Sequence, residues 1–462
     1  MDQILTQDDI RLLLEDGRYE AAAEALAGLH PADAATIVEG LGLEGAVAAL
    51  GSLDPQSAAD LFCQLYGGLQ AEIAERMEPR LLKRIASRLS PDDRADLLNS
   101  LPDEARERLL SLLSRDERAE AELLASYPEG SAGALMTSRF LALPYDIAVV
   151  DAMARIRREA PRKESVYTSY IVDGDRRLIG LARLRDLIMA DPHAPLADIM
   201  DDRVHSVRAD EGREAAVFAL SHYDLLDLPV VDAEGRIVGI ITHDDAMDAM
   251  EDAHTEDMER FMAIAGSHDD AGYLQTGVFT HFKHRVGWLV ALAAVGLVSG
   301  AIMQGFEDLL TNLMILALYL PMLADTGGNT GSQAATVVVR ALALKEISAA
   351  DAFRVLAKEL GVALLLGLVL GVLATGRVLL FTRGAELPLG MRVYDLALAV
   401  SLALSLQVVS STVIGAALPL AAAKLKIDPA LVASPMLTTV VDITGLLLYF
   451  SIAKVLLGGF LG

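Results

Sequence analysis

The strongest constraint on this chain is a break in character at Arg285. Residues 1–285 hold 29 Lys and Arg against 54 Asp and Glu, and so carry all of the net charge of -25; residues 286–462 hold 10 of each sign. The neutral part contains five apolar runs, at 286–306, within 309–343, and at 355–381, 394–423 and 430–457. Runs of about 20 apolar residues are long enough to cross a bilayer. A soluble core explains one such run, not five in succession. Lys283 and Arg285 precede the first run, Arg340, Lys345, Arg354 and Lys358 separate the second from the third, and Lys424 and Lys426 separate the fourth from the fifth. Glu307 and Asp308 lie between the first and second, and only the third loop, with Arg377, Arg383 and Arg392, departs from the pattern. The positive-inside rule then predicts a cytoplasmic N-terminal region and an external C-terminus. The acidic part repels nucleic-acid phosphates and attracts cations. A single cysteine, Cys63, excludes an internal disulfide framework, and the opening MDQILTQDDI has no apolar core of a cleaved signal.

Residues 1–126 have helical spacing of apolar positions, with Pro31, Pro55, Pro79, Pro91 and Pro102 at spacings of 24, 24, 12 and 11. Proline suits a first helical turn, and Ser90 before Pro91 suits a cap. Stacked short helices forming a small superhelix are expected, an irregular bundle being the alternative. Residues 127–250 contain a repeat: YIVDGDRRLIGLARLRD from Tyr170 returns as PVVDAEGRIVGIITHDD from Pro229, 59 residues on. Each copy reads strand, helix, strand, turn, strand, helix, with a hairpin at Gly174 or Gly235. Two such units resemble a tandem CBS pair, a ligand-sensing α+β fold. Thr242 and Asp245 in the second copy resemble a ribose-contacting pattern, which makes a nucleotide such as ATP an expectation at that one site; the first copy has Arg183 in place of Thr242.

From His243 to Asp270 the chain carries ten acids and one base, Arg260. In a helix, Asp245, Asp248, Asp252, Glu256 and Glu259 share one face. Like charges at that spacing repel, so the segment 243–270 is either a solvated acidic linker or a surface that packs only with divalent cations; carboxylates suit magnesium and calcium alike. Asp92 and Asp96 lie one turn apart in the helix starting at Pro91, where acids also complement the helix dipole.

Within the second apolar run, PMLADTGGNTGSQ predicts a span broken at Pro321 and at residues 327–331, because polar and glycine-rich backbone at membrane depth belongs in a wet or protein-lined place. Asp428 begins DPA at the membrane edge. Asp442, in TTVVDITG, sits inside the last run, and an intramembrane acid is a functional candidate by default.

GGNTGSQ, DPA, TTVVDITG, five runs and an upstream CBS pair together resemble the MgtE-type magnesium channel family over nearly the whole chain. The resemblance implies a multidomain fold: an α-helical superhelix (1–126), an α+β tandem CBS pair (127–250), an acidic connecting plug helix (251–284) and a five-span α-helical membrane domain (285–462). It implies a homodimer in the bacterial inner membrane that carries Mg2+ down its gradient and is closed by cytosolic Mg2+. It makes Asp442 the pore carboxylate, with Gly328, Asn329 and Thr438 shaping that site. It places cytosolic Mg2+ at Asp92, Asp96, Glu214, Asp224, Asp245, Asp248, Glu256 and Asp257. Where the family carries a further connector acid, this chain has Ala253, and Glu251 or Asp252 is the substitute the sequence offers. Asp325 is not a position expected to be acidic. Two other classes fit less well. An anion channel would want cationic or neutral pore groups and places CBS modules after the membrane part. A membrane hydrolase would need a Ser/His/Asp set, an HExxH motif or a P-loop, none of which the sequence contains.

Overall fold

The computed structural model describes residues 7–264, 276–382, 387–432 and 435–460. Asp269, Asp270, Arg383 and Ser434 lie outside them. The described residues up to Ala253, with Thr276, form one compact unit and the rest form a second.

The first unit begins with α1 (Gln7–Glu15), α2 (Tyr19–Ala27), α3 (Pro31–Glu39), α4 (Gly42–Ser52), α5 (Pro55–Cys63), α6 (Gly67–Arg76), α7 (Pro79–Ala86), α8 (Pro91–Ser100), α9 (Asp103–Leu112) and α10 (Arg115–Leu124). Proline opens α3, α5, α7 and α8, where its missing N–H is no loss. Ser90 caps α8 by accepting from the Asp93 N–H, and Pro102 takes the N-cap place of α9. From α2 to α10 each helix packs on the one two places ahead, α2 on α4, α3 on α5 and so on to α8 on α10. That regular stacking is a superhelix, not an irregular bundle.

Two small sheets follow. In the first, β1 (Ala142–Pro144) runs parallel to β2 (Thr168–Val172), and β2 is antiparallel to β3 (Leu178–Arg183). The second repeats this with β4 (Val207–Arg208), β5 (Asp227–Val231) and β6 (Ile237–Thr242). Tyr170 pairs Leu181 in one and Pro229 pairs Ile240 in the other, and both sheets carry a register shift at the matching place, so the sequence repeat is a structural repeat. Helices α11 (Val149–Glu159), α12 (Leu184–Met189) and α13 (Arg213–His222) complete the pair, and α14 (His243–Phe261) follows β6 directly. The end of the second repeat and the connector are thus one helix. Ala95 of α8 and Leu124 of α10 share a core with Met136, Ile241 and Ala246, which fixes α8 against the start of α14.

The second unit holds α15 (Val278–Gly305), α16 (Glu307–Asn312), α17 (Leu320–Ala343), α18 (Ala352–Phe381), α19 (Val393–Lys424) and α20 (Pro435–Leu457). Helix α19 is the central one, packing on α17, α18 and α20. Among the described residues four helices are long and apolar enough to cross a membrane, those at Val278–Gly305, Ala349–Phe381, Val393–Lys424 and Met436–Phe460. Helix α17 is not among them, because Gly, Asn, Thr and Gln dilute its hydropathy, although its 24 residues reach about 36 Å. The expected break at residues 327–331 is also corrected. Helix α17 runs through them unbroken with Pro321 in its first turn, and the irregular backbone lies upstream, in the 3-10 turn Met314–Tyr319. Interior glycine costs about 1 kcal/mol each in an exposed helix, but here the glycines are packing surfaces.

Candidate ion path and cation-sensing clusters

Helices α17, α19 and α20 meet through those glycines. A Cβ at Gly328 would lie 3.6 Å from Thr438, and one at Gly331 would lie 3.2 Å from the Ser411 carbonyl and 3.4 Å from Val441. Gly415 abuts the Gly331 backbone. Small residues let helix backbones approach this closely. The opposite face of α17 is polar: Asp325, Asn329, Gln333 and Thr336 recur at helical spacing and are all exposed. Asn329 donates to Asp325 at 3.2 Å, which gives Asp325 a local role. Asp442 on α20 lines a cavity of about 270 Å3 with Ser299, Met303, Ala324, Gln407 and Gly445. Gly328 and Thr438 therefore meet beside this region, while Asn329 stands on the exposed polar face. Sequence reading missed Gln407, the one amide in an apolar run otherwise interrupted by serines and a threonine; its place between leucine and valine was the available signal.

The end of α14 belongs to the second unit and rests on these helices. Phe261 packs against the cluster of Ala335, Leu437 and Val441, the last being the neighbour of Asp442. Arg260 pairs with Asp428 at 3.1 Å and also with Glu256. Asp257 is held above the usual carboxylate range, first by burial and then by the charge of Asp428. Asp257, Phe261, Val339, Ala343, Ile427 and Asp428 line a mostly apolar cavity of about 890 Å3.

In the first unit, α8 brings Asp92 to the start of α14. Asp92 has one carboxylate oxygen buried without a hydrogen-bond partner. Burial, then Asp93, raises its pKa. Asp245 is pushed up to about 7, first by burial and then by Asp92. Glu164 is raised by burial and then by Asp92, with Asp93 and Asp244 contributing. These acids form one electronegative cluster. Thr242 is buried and its hydroxyl donates to Asp245, so the pair expected to meet a ribose is engaged with itself. Asp248, one turn on, is raised by burial and by Asp244, Asp252 and Glu251. Asp96 is exposed, one turn along α8 from Asp92. Glu214 opens α13 and the exposed Asp224, at a left-handed φ of 51°, lies just beyond its end, so one helix length separates them within the chain. Among the described residues no three His, Cys, Asp or Glu side chains converge tightly enough to hold a metal ion.

Comparison with known proteins places this arrangement in a class. Residues 320–452 match a family model described as a divalent cation transporter, residues 29–130 match the MgtE intracellular N domain, and residues 132–193 and 196–252 match CBS domains. The chain is a membrane transporter for divalent cations. It is 40% identical over 447 residues to the magnesium transporter MgtE of Thermus thermophilus, covering 96% of this chain and 97% of that one. It is 31% identical over 457 residues to the magnesium transporter MgtE of Bacillus subtilis, covering 98% of each. The chain therefore belongs to the MgtE family of magnesium transporters. The crystal structure of the cytosolic domain of the Mg2+ channel MgtE in complex with ATP covers 53% of this chain and 99% of that one, at 38% identity and a TM-score of 0.51. The relatives are named as transporters, not enzymes.

Proposed function

We propose that the protein is a magnesium channel, a homodimer in the bacterial inner membrane, that passes Mg2+ into the cytosol and is closed by cytosolic Mg2+. The observation that carries this reading is the course of α14: it begins among the acids of the first unit and ends with Phe261 packed against the cluster of Ala335, Leu437 and Val441. A change in how those acids pack has a mechanical route to the residue next to Asp442.

The ion path uses Asp442. Mg2+ sheds water reluctantly, so it crosses hydrated, with Asp442 accepting from its water shell and offsetting its charge. The polar face of α17, carrying Asn329, faces the path and a second copy rather than lipid, which makes α17 the fifth span and leaves the C-terminus outside. Helix α15, with no buried residue, is covered by lipid and the partner.

The sensor is two clusters. Asp92, Asp245 and Asp248, with Asp96 and Glu251 nearby, repel one another until a divalent cation lies between α8 and α14. Glu256 and Asp257 do the same near Asp428. Glu214 and Asp224 join only through other arrangements or a partner copy. We assign Asp245 to the cation sensor rather than to a ribose, since nucleotide phosphates would face its acidic neighbours. ATP at the CBS pair is better served by the cavity of about 800 Å3 whose lining includes Tyr127, Phe140, Arg155, Lys163, Arg176 and Arg236.

The experiment is Mg2+ uptake into liposomes by Asp442→Asn, which keeps shape and removes charge. Flux is expected to fall at least about tenfold, since losing a unit charge in a poorly screened path costs more than 1.4 kcal/mol. Uptake at the wild-type rate by a folded Asp442→Asn protein would refute the reading.

A further inference from the structure

The ion path contains a buried side chain that none of the sequence motifs includes. Gln407 on α19 is 0% exposed. Its Nε2 donates to the Val441 carbonyl at 3.1 Å, one residue before Asp442. The reverse amide orientation would set Oε1 against that carbonyl oxygen, so the bond fixes which end is which. Its Oε1 is buried and accepts from no protein group. A buried acceptor without a partner carries a cost that packing alone does not require.

Two glycines of the flanking motifs make room for this amide. A Cβ at Gly327 of α17 or at Gly445 of α20 would collide with Nε2, and one at Gly445 would also lie 2.9 Å from Oε1. Gly445 is one turn from Asp442, and Gln407, Gly445 and Asp442 line the same cavity of about 270 Å3. Six waters occupy roughly 180 Å3 at liquid density, so the cavity accommodates an octahedral hydrated divalent cation.

We propose that Gln407 is a positioning residue of the path: its amide pins α20 at Val441, so that Asp442 keeps its place. This rests on the reading of Asp442 as the ion-path carboxylate.

The test is Mg2+ uptake by the full-length protein in liposomes, as a function of external Mg2+, for the wild type, Gln407→Met, Gln407→Glu and Asp442→Asn. Methionine conserves volume and removes both donor and acceptor. The expected result for Gln407→Met is a rise of about fivefold or more in half-saturating Mg2+ with a lower maximal rate. A merely structural role would reduce the number of active molecules and leave half-saturation unchanged. Gln407→Glu, when protonated, can still donate to Val441, so relative to wild type at each pH its half-saturation should recover as pH falls. This second variant carries the test if Gln407→Met does not fold. Wild-type half-saturation in Gln407→Met, or in Gln407→Glu at every pH, overturns the proposal. If Asp442→Asn is inactive while the Gln407 variants match wild type, only the Gln407 assignment fails; if Asp442→Asn conducts normally, the ion-path reading fails and takes this one with it.

Discussion

At the scale of single residues, Asp245 sets a pH dependence whose sign is fixed by its surroundings. Its pKa is raised from 3.8 to about 7 by burial and by Asp92. The folded state then keeps a proton that the unfolded chain has released, so this group's stabilising contribution is greatest below about pH 4 and is lost as pH rises through 7. A divalent cation that replaces the proton therefore has most to offer above pH 7. Apparent Mg2+ affinity for protecting α8 and the first turn of α14 from hydrogen exchange should be about tenfold weaker at pH 6 than at pH 8, for one competing proton. Asp245→Asn should flatten that dependence. Equal affinity at the two pH values in the wild type would remove Asp245 from the cation cluster.

At the scale of elements, the proposed coupling runs through the last turns of α14. Phe261 is partly buried against Ala335, Leu437 and Val441. Truncating it to alanine removes apolar contact worth about 1–2 kcal/mol. Phe261→Ala should therefore close only at several-fold higher cytosolic Mg2+, with flux at low Mg2+ unchanged; an unaltered closing concentration would place the coupling elsewhere. A second expectation concerns the crossing of α17 and α19. Gly415→Leu would force a side chain into the Gly331 backbone, and overpacking at a helix crossing costs about 1–3 kcal/mol. Its thermal midpoint should fall, which an unchanged midpoint would contradict. These elements also mark what the sequence could reveal. The proline-started helices and the CBS repeat were legible because they depend on local chemistry: a capped first turn at Pro91, a hairpin at Gly235. The backbone at residues 327–331 was not, since glycine and asparagine read as a break until α19 and α20 are seen packed on them. Gln407 was not, since a polar residue in an apolar run has meaning only through what it faces, here Val441 and Gly445. Asp92 and Asp245 lie 153 positions apart in the sequence, and only the α8–α14 packing shows that Asp92 raises the proton affinity of Asp245.

At the scale of the whole molecule, the proposed function makes the net charge of -25 an instrument of regulation rather than of solubility alone. All of it lies outside the membrane part, where, on the function proposed above, repulsion among carboxylates disfavours the closed packing until Mg2+ arrives. A ligand shifts such an equilibrium only by its differential affinity for the two states. The sensor must then bind Mg2+ better when packed, and neutralising it must leave the path open. The most direct measurement is current through membrane patches in which Mg2+ is varied only on the cytosolic face. The account predicts that the wild type closes as cytosolic Mg2+ rises, and that a protein carrying Asp245→Asn, Asp248→Asn and Glu256→Gln stays open at the concentration that closes the wild type. A triple variant that closes at the wild-type concentration, or a wild type whose current ignores cytosolic Mg2+, would contradict it.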